Sequence, residues 1–140
     1  IVHGEAFQRD SRRCRDEAVE LLNFVGLSGR SQVVAASLSY GEQRMLEIAR
    51  ALATAPRLLM VDEPAAGLHA VEVDALLTRI AKLRERGITV VMVEHNMDLV
   101  MKIADRIIVM DYGQYLFEGV PAEVQGHPGV IAAYLGAEVQ

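Results

Sequence analysis

Leu58-Leu59-Met60-Val61-Asp62-Glu63-Pro64 is the stretch on which the fold turns. Four apolar residues in a row, without polar alternation, read as a strand buried on both faces, the habit of a parallel sheet covered by helices. Asp62 and Glu63 fall where that strand stops, and Pro64, which has no N–H to give a ladder, stops it. Ionised carboxylates are costly to desolvate, so a pair at the end of a buried strand needs a cation, hydrogen bonds or an opening to water. Open α/β sheets bind ligands at the carboxyl ends of their strands, and an acid pair there suits a metal ion and an activated water. For this stretch taken alone, the alternative is a strand running into a solvated acidic turn.

Downstream, Ala65-Ala66-Gly67-Leu68-His69 reads as a turn. An amphipathic helix follows, with Val73, Leu76, Leu77, Ile80 and Leu83 on its buried face and Gly87 closing it. Ile88 to Val93 is a second apolar, β-branched run, ending in Glu94-His95-Asn96. Strand, helix, strand in this order implies a right-handed crossover between parallel strands, which puts both polar strand ends on one edge. A histidine at that edge can donate to a phosphate or to an attacking water; a satisfied structural histidine is the alternative for His95. Asn96 is placed to cap a short helix through Ala104. Arg106 to Met110 is a third apolar strand, which Asp111-Tyr112-Gly113-Gln114 turns into Tyr115 to Glu118, an antiparallel hairpin at the sheet margin. Pro121 and Pro128 each begin a short helical segment, the last ending near Leu135-Gly136, and neither carries assigned chemistry.

Upstream, Leu38-Ser39-Tyr40-Gly41-Glu42-Gln43-Arg44 starts a helix running to about Thr54. Ser39 and Glu42 have the spacing of a capping box. Met45, Leu46, Ile48, Ala49, Leu52 and Ala53 supply the buried face, and Pro56 marks the far end. A helix start with a serine hydroxyl, a glycine permitting close approach and free amides is also a phosphate site. Leu27 to Ala36 is a connection broken by Ser28, Gly29 and Ser31. From Ser11, residues Ala18, Leu21, Leu22 and Val25 mark a packing helix that Gly26 ends in a left-handed turn. Residues up to Asp10 show no period and read as a loosely fixed lead-in.

The composition bounds the function. A length of 140 residues fits one domain or part of one, and 51% hydrophobic with 24% charged residues is the balance of a soluble globular protein. A net charge of -5, with no basic tract beyond Arg12-Arg13 and Arg15, argues against nucleic acid as a partner. The apolar runs are too short to cross a bilayer and no signal peptide opens the chain, so a cytosolic location is expected. Cys14 alone forms no internal disulfide, and the four histidines have no metal-ligand spacing, so structural zinc is not expected. Opening on Ile1-Val2-His3 instead of Met reads as a processed, cloned or truncated piece.

Leu38-Ser39-Tyr40-Gly41-Glu42, the Leu58 to Glu63 strand and His95 after a second strand together resemble the ATP-binding subunits of ABC transporters: a signature motif, a Walker B strand and a switch histidine. The resemblance extends from Leu38 to about Gly119. Within that family, Asp62-Glu63-Pro64-Ala65-Ala66-Gly67-Leu68 and the ending Tyr134-Leu135-Gly136 resemble importers of branched-chain and other hydrophobic amino acids. Subunits for urea or amide uptake and for lipopolysaccharide export are closely similar. The implied fold is α/β, a partial P-loop NTPase-type (ABC ATPase) sheet, mostly parallel, with flanking helices and a marginal hairpin. Residues 1–37 would be the remnant of a helical subdomain, 38–120 the signature, Walker B and switch-histidine core, and 121–140 a helical tail.

The same resemblance implies roles. Asp62 would help hold Mg²⁺, Glu63 would polarise the water that attacks the γ-phosphate of ATP, and His95 would contact that phosphate. Ser39, Gly41, Glu42 and the start of their helix would face the ATP held by a second ATP-binding subunit, in a head-to-tail homo- or heterodimer. Membrane permease subunits would be the other partners, leaving the protein cytoplasmic and peripheral at the inner face of the cell membrane. Three features depart from the family pattern. Tyr40 replaces the usual first glycine. Glu42 stands where glutamine is commonest, and since a carboxylate aimed at a phosphate is repelled, Glu42 is expected to turn back to the Ser39 amide. His69 takes the place of an aspartate after the Walker B turn.

The sequence contains no G-x-x-x-x-G-K-[ST], the loop whose amides, lysine and hydroxyl cradle phosphates and magnesium. It therefore reads as the C-terminal part of a nucleotide-binding domain, inactive as an ATPase by itself. A DExx helicase also uses an apolar strand ending in Asp-Glu, but the acidic balance and the Leu38 to Glu42 signature argue against it. The non-enzymatic reading is an interaction fragment that self-associates through bare sheet edges.

Overall fold

Parallel pairing carries the first half of the molecule. In the computed structural model, which describes residues 4–135, β1 (Leu58–Asp62) and β2 (Thr89–Val93) pair in parallel, with Asp62 opposite Val93. The crossover between them is α3 (Ala70–Glu85), which packs on β2 and buries Leu76, Ile80 and Leu83. This is the strand–helix–strand unit expected from the apolar runs. The expectation that the strands are buried on both faces does not hold. Leu59 is 5% exposed while its neighbour Met60 is 70% exposed, and Leu58, Val91 and Val93 are open as well. Alternate residues of a strand face opposite sides, and only the side shared by Leu59, Val61, Val90 and Met92 is covered.

The elements before β1 are helical. α1 (Glu5–Phe24) begins well before the expected start at Ser11, so residues 5–10 of the segment read as a loose lead-in are helix. Its period was hidden because the residues from Phe7 to Glu20, Ala18 included, are all exposed; the packing is confined to the last turn, where Leu21, Leu22 and Phe24 are half-buried and Val25 is buried. An exposed Arg13–Glu17 pair at 2.8 Å bridges successive turns of the solvated part. A connection with one 3-10 turn (Ala35–Ser37) leads to α2 (Tyr40–Leu52), which packs against α1. α2 buries Gly41, Met45, Ile48, Ala49 and Leu52; Ala53, assigned to that face, is the exposed cap residue.

The chain divides into two compact units, Ile1–Val93 and Glu94–Gln140. In the second, α4 (Met97–Ile103) precedes the antiparallel hairpin of β3 (Ile107–Asp111) and β4 (Gln114–Gly119). Tyr112 at φ 44° and Gly113 at φ 76° form the two-residue turn, a conformation matched to the twist of a hairpin. Expected at the margin of the parallel sheet, the hairpin makes a two-stranded sheet of its own. α5 (Pro121–Gly126), α6 (Pro128–Val130) and a π-helical turn (Ile131–Leu135) follow. Ile107, Val109, Val124 and Val130 form the core of this unit, with Met97, Val100, Met101, Leu116 and Phe117 packed around it. The Phe117 and His127 rings stack at 4.1 Å, and Tyr134 Oη donates to the Met110 carbonyl. Gly136, the last residue of the Tyr134-Leu135-Gly136 ending, lies outside the described residues. Among the described residues, no helix is long and apolar enough to cross a membrane.

Candidate functional site

Asp62 is the last residue of β1, and Glu63 follows it at φ 42°. A non-glycine residue in the left-handed region is disfavoured by roughly 1–2 kcal/mol, and such strain collects at functional positions. The main-chain N–H of Glu63 donates to the Val93 carbonyl at 2.9 Å, so the parallel ladder continues one residue beyond β1 before the chain turns. Ala66 N–H returns to the Glu63 carbonyl at 3.1 Å and Leu68 N–H to that of Ala65 at 3.2 Å, which closes the turn read at 65–69. Asp62 and Glu63 are exposed, whereas Pro64 is buried beneath them. The carboxylate pair thus stands at the end of the strand and open to water, the condition its charge requires.

The start of α2 holds the next candidates. Glu42 N–H donates to Ser39 Oγ at 3.2 Å, and the Ser39 N–H donates to Glu42 Oε2 at 2.9 Å: the capping box is complete. Arg30 reaches the other oxygen of Glu42, with Nε and Nη2 each at 3.0 Å from Oε1. Glu42 has turned back on its own helix start, as its repulsion from phosphate implied. The Ser39 amide holds its carboxyl below the usual range; burial opposes this, and the Arg30 charge, a smaller effect than burial, adds to the lowering. Gly41 is buried, and the close approach that a glycine permits is used from within the chain: a methyl group there would overlap Oε1 of Glu72. Tyr40 is exposed; its hydroxyl accepts from Arg44 Nε at 3.2 Å, and the Arg44 guanidinium lies 5.4 Å from the ring centre.

His69 caps α3, and its N–H donates to Glu72 Oε2 at 2.9 Å. His95 follows β2 and belongs to the second unit, next to Asn96, whose Oδ1 accepts the Leu99 N–H at 3.1 Å. Among the described residues no group of three or more His, Cys, Asp or Glu side chains could hold a metal. Asp62 fits a lesser role, because Mg²⁺ keeps most of its waters and takes one or two carboxylates together with substrate phosphates. A groove of about 290 Å³ between α2 and β1, lined by residues including Arg44, Ile48, Leu59 and Asp62, contains neither Glu63 nor Ser39. Asp62 and Glu63 are therefore brought together in one turn, and Ser39, Gly41 and Glu42 at one helix start. Sequence reading missed Glu72 and Arg30. The signal for Glu72 was half a capping box, a glutamate three residues after a helix cap that is not serine or threonine.

Parallel pairing across a helical crossover, with the acid turn at its end, makes the first unit an α/β fold. The solved ADP conformation of MJ1267, an ATP-binding cassette of an ABC transporter, superposes with a TM-score of 0.80 at 32% identity, over 89% of this chain and 50% of that one. The family described as "ABC transporter" matches residues 3–66, and the one described as "Branched-chain amino acid ATP-binding cassette transporter" matches residues 116–140. The chain is 48% identical over 132 residues to the high-affinity branched-chain amino acid transport ATP-binding protein BraF of Pseudomonas aeruginosa, covering 94% of this chain and 52% of BraF. It is 44% identical over 137 residues to the corresponding LivG protein of Escherichia coli, covering 97% and 54%. Both matched families and these relatives are ABC transporter ATP-binding proteins. It spans about half the length of the curated relatives it matches.

Proposed function

We propose that the full-length protein hydrolyses ATP to drive import of branched-chain or other hydrophobic amino acids, and that these 140 residues carry its signature helix, acid pair and switch histidine without a phosphate cradle of their own. The observation that carries the reading is the exposed Asp62-Glu63 pair at the carboxyl end of a parallel strand, with Glu63 anchored through its N–H to Val93. Bound Mg-ATP supplies the electrophilic γ-phosphorus. Glu63 orients and accepts a proton from the attacking water, a role typically worth ~10²–10⁴ in rate. Asp62 is the carboxylate for Mg²⁺, and His95 the donor toward the γ-phosphate. Ser39, Gly41 and the first amides of α2 face the nucleotide of a second subunit, and Glu42 acts by shaping that helix start. A permease in the membrane is the other partner, with this protein on its cytoplasmic side. The division by role at 37/38 and 120/121 is part of the same proposal and differs from the compact units, which part at 93/94.

The test is calorimetric titration of this chain with Mg-ATP, paired with Glu63→Gln in a full-length protein containing these residues. No heat from the chain, and nucleotide binding without turnover from the full-length variant, are expected. Saturable binding by the chain near one equivalent, or unchanged turnover in the variant, overturns the corresponding half of the proposal.

A second reading is favoured by the open face of β1 and β2, where Leu58, Met60, Val91 and Val93 present apolar surface. By itself the chain then self-associates through that sheet. Sedimentation equilibrium without nucleotide decides it: a strictly monomeric chain rules the reading out.

A further inference from the structure

Glu72 lies half-buried in the first turn of α3, and its two carboxylate oxygens serve two elements. Oε2 accepts the His69 N–H at 2.9 Å. Oε1 rests against Gly41, close enough to exclude a methyl group there. A second contact joins the same two elements, because a methyl group on Gly67 would come within 3.0 Å of Tyr40 Cε1. Tyr40 and Gly41, adjacent at the start of α2, thus touch both ends of the Gly67-to-Glu72 segment that leaves the acid turn. The first turn of a helix carries amides without intrahelical partners and the positive end of the dipole, which favours an anion at that position over a neutral chain. Helix propensity explains neither contact.

Resting on the reading of Glu63 as the base and of Gly41 as facing a second subunit's nucleotide, we infer that Glu72 is a positioning residue for ATP hydrolysis. It fixes the start of α2 against the turn that leaves Glu63, so that the contact made at Gly41 and the setting of Glu63 are adjusted together. Glycine at position 41 is then required by the carboxylate of the same chain as well as by any nucleotide.

The inference is tested first on this chain by amide hydrogen exchange, with no nucleotide. Glu72→Ala is expected to speed exchange roughly 5-fold at His69 and, across the contact, at Glu42 and Gln43; Glu72→Gln, which keeps an acceptor for His69, stays within about 2-fold. Gly41→Ala, which displaces Glu72, is expected to speed exchange reciprocally at His69. An effect of Glu72→Ala confined to His69, or a Gly41→Ala chain with His69 unchanged, overturns the clamp, and the Gly41→Ala arm decides alone where Glu72→Ala does not fold. In a full-length protein containing these residues, Glu72→Ala is expected to lower kcat about 10-fold with KM for Mg-ATP within about 2-fold, and Glu72→Gln to restore it. A rise in KM at unchanged kcat, or equal loss in both variants, overturns the positioning role. A full-length protein with no ATPase activity refutes the proposed function and leaves the exchange result to judge the clamp.

Discussion

Glu63 and Val93 share a main-chain hydrogen bond of 2.9 Å, one step past the last register pair of the parallel strands, and at Glu63 the backbone turns to φ 42°. The ladder holds the residue in place while the left-handed turn ends the strand. Glycine would occupy that conformation without strain. Glu63→Gly is therefore expected to raise the unfolding free energy by about 1 kcal/mol, and Glu63→Gln to leave it unchanged. Urea titration of the three chains reads this out; equal stability of the glycine and glutamine variants would show that the position stores no strain.

Glu42 makes part of the stability of the first unit pH-dependent. Its folded carboxyl lies below the ordinary value of 4.5, chiefly because it accepts the Ser39 N–H. The unfolded chain then binds the proton more readily, so the stabilisation is complete above about pH 4.5 and is lost as pH falls through the lower folded value. Tm measured from about pH 6 down to about pH 2.5 is expected to fall less steeply for Glu42→Gln than for the parent sequence. Parallel curves would remove Glu42 from the acid response.

Ser39 supplies the other half of the same cap. Ser39→Ala removes the acceptor of the Glu42 N–H and is expected to destabilise the chain by about 1 kcal/mol, with Ser39→Asp nearly neutral. The check is denaturant unfolding followed by far-ultraviolet dichroism. A loss as large in Ser39→Asp would mean that the hydroxyl does something other than cap the helix.

Met60 and Leu76 are apolar residues of opposite consequence. Leu76 is fully buried, and Leu76→Ala is expected to cost roughly 2–5 kcal/mol. Met60 is 70% exposed, and Met60→Lys is expected to change stability by no more than about 0.5 kcal/mol while reducing any self-association of the chain. Sedimentation and unfolding on the same samples separate the two effects. A large loss of stability in Met60→Lys would show that the open face is covered in solution.

Much of this was legible because periods and spacings are local. The Ser39–Glu42 box, the helix buried through Leu76, Ile80 and Leu83, the two parallel strands and the Tyr112-Gly113 turn all follow from patterns within a few residues. The acid pair was legible for the same reason. What escaped depends on what stands opposite. Apolar runs announce burial, but Met60 and Val93 lack a covering layer among the described residues, and no count of apolar residues reveals which face is bare. The first turns of α1 escaped because a solvated helix has no apolar stripe to display. Glu72 escaped because its partner, Gly41, lies in another helix, and the left-handed backbone of Glu63 because only the ladder to Val93 and the turn beyond it impose it.

α1 has 20 residues, with exposed side chains from Phe7 to Glu20 and half-buried ones only in its last turn among those described. Its last turn has no basic residue, yet Arg79 of α3 and Arg86, the residue that caps α3, stand at its carboxyl end: the Arg86 guanidinium lies 4.2 Å over the Phe24 ring, and that of Arg79 fills the space where Gly26, at φ 81°, has no side chain. A rod of about 30 Å is thus held at its carboxyl end by the helix whose first turn also carries Glu72, so α3 grips the end of α1 with one set of side chains and the start of α2 with another.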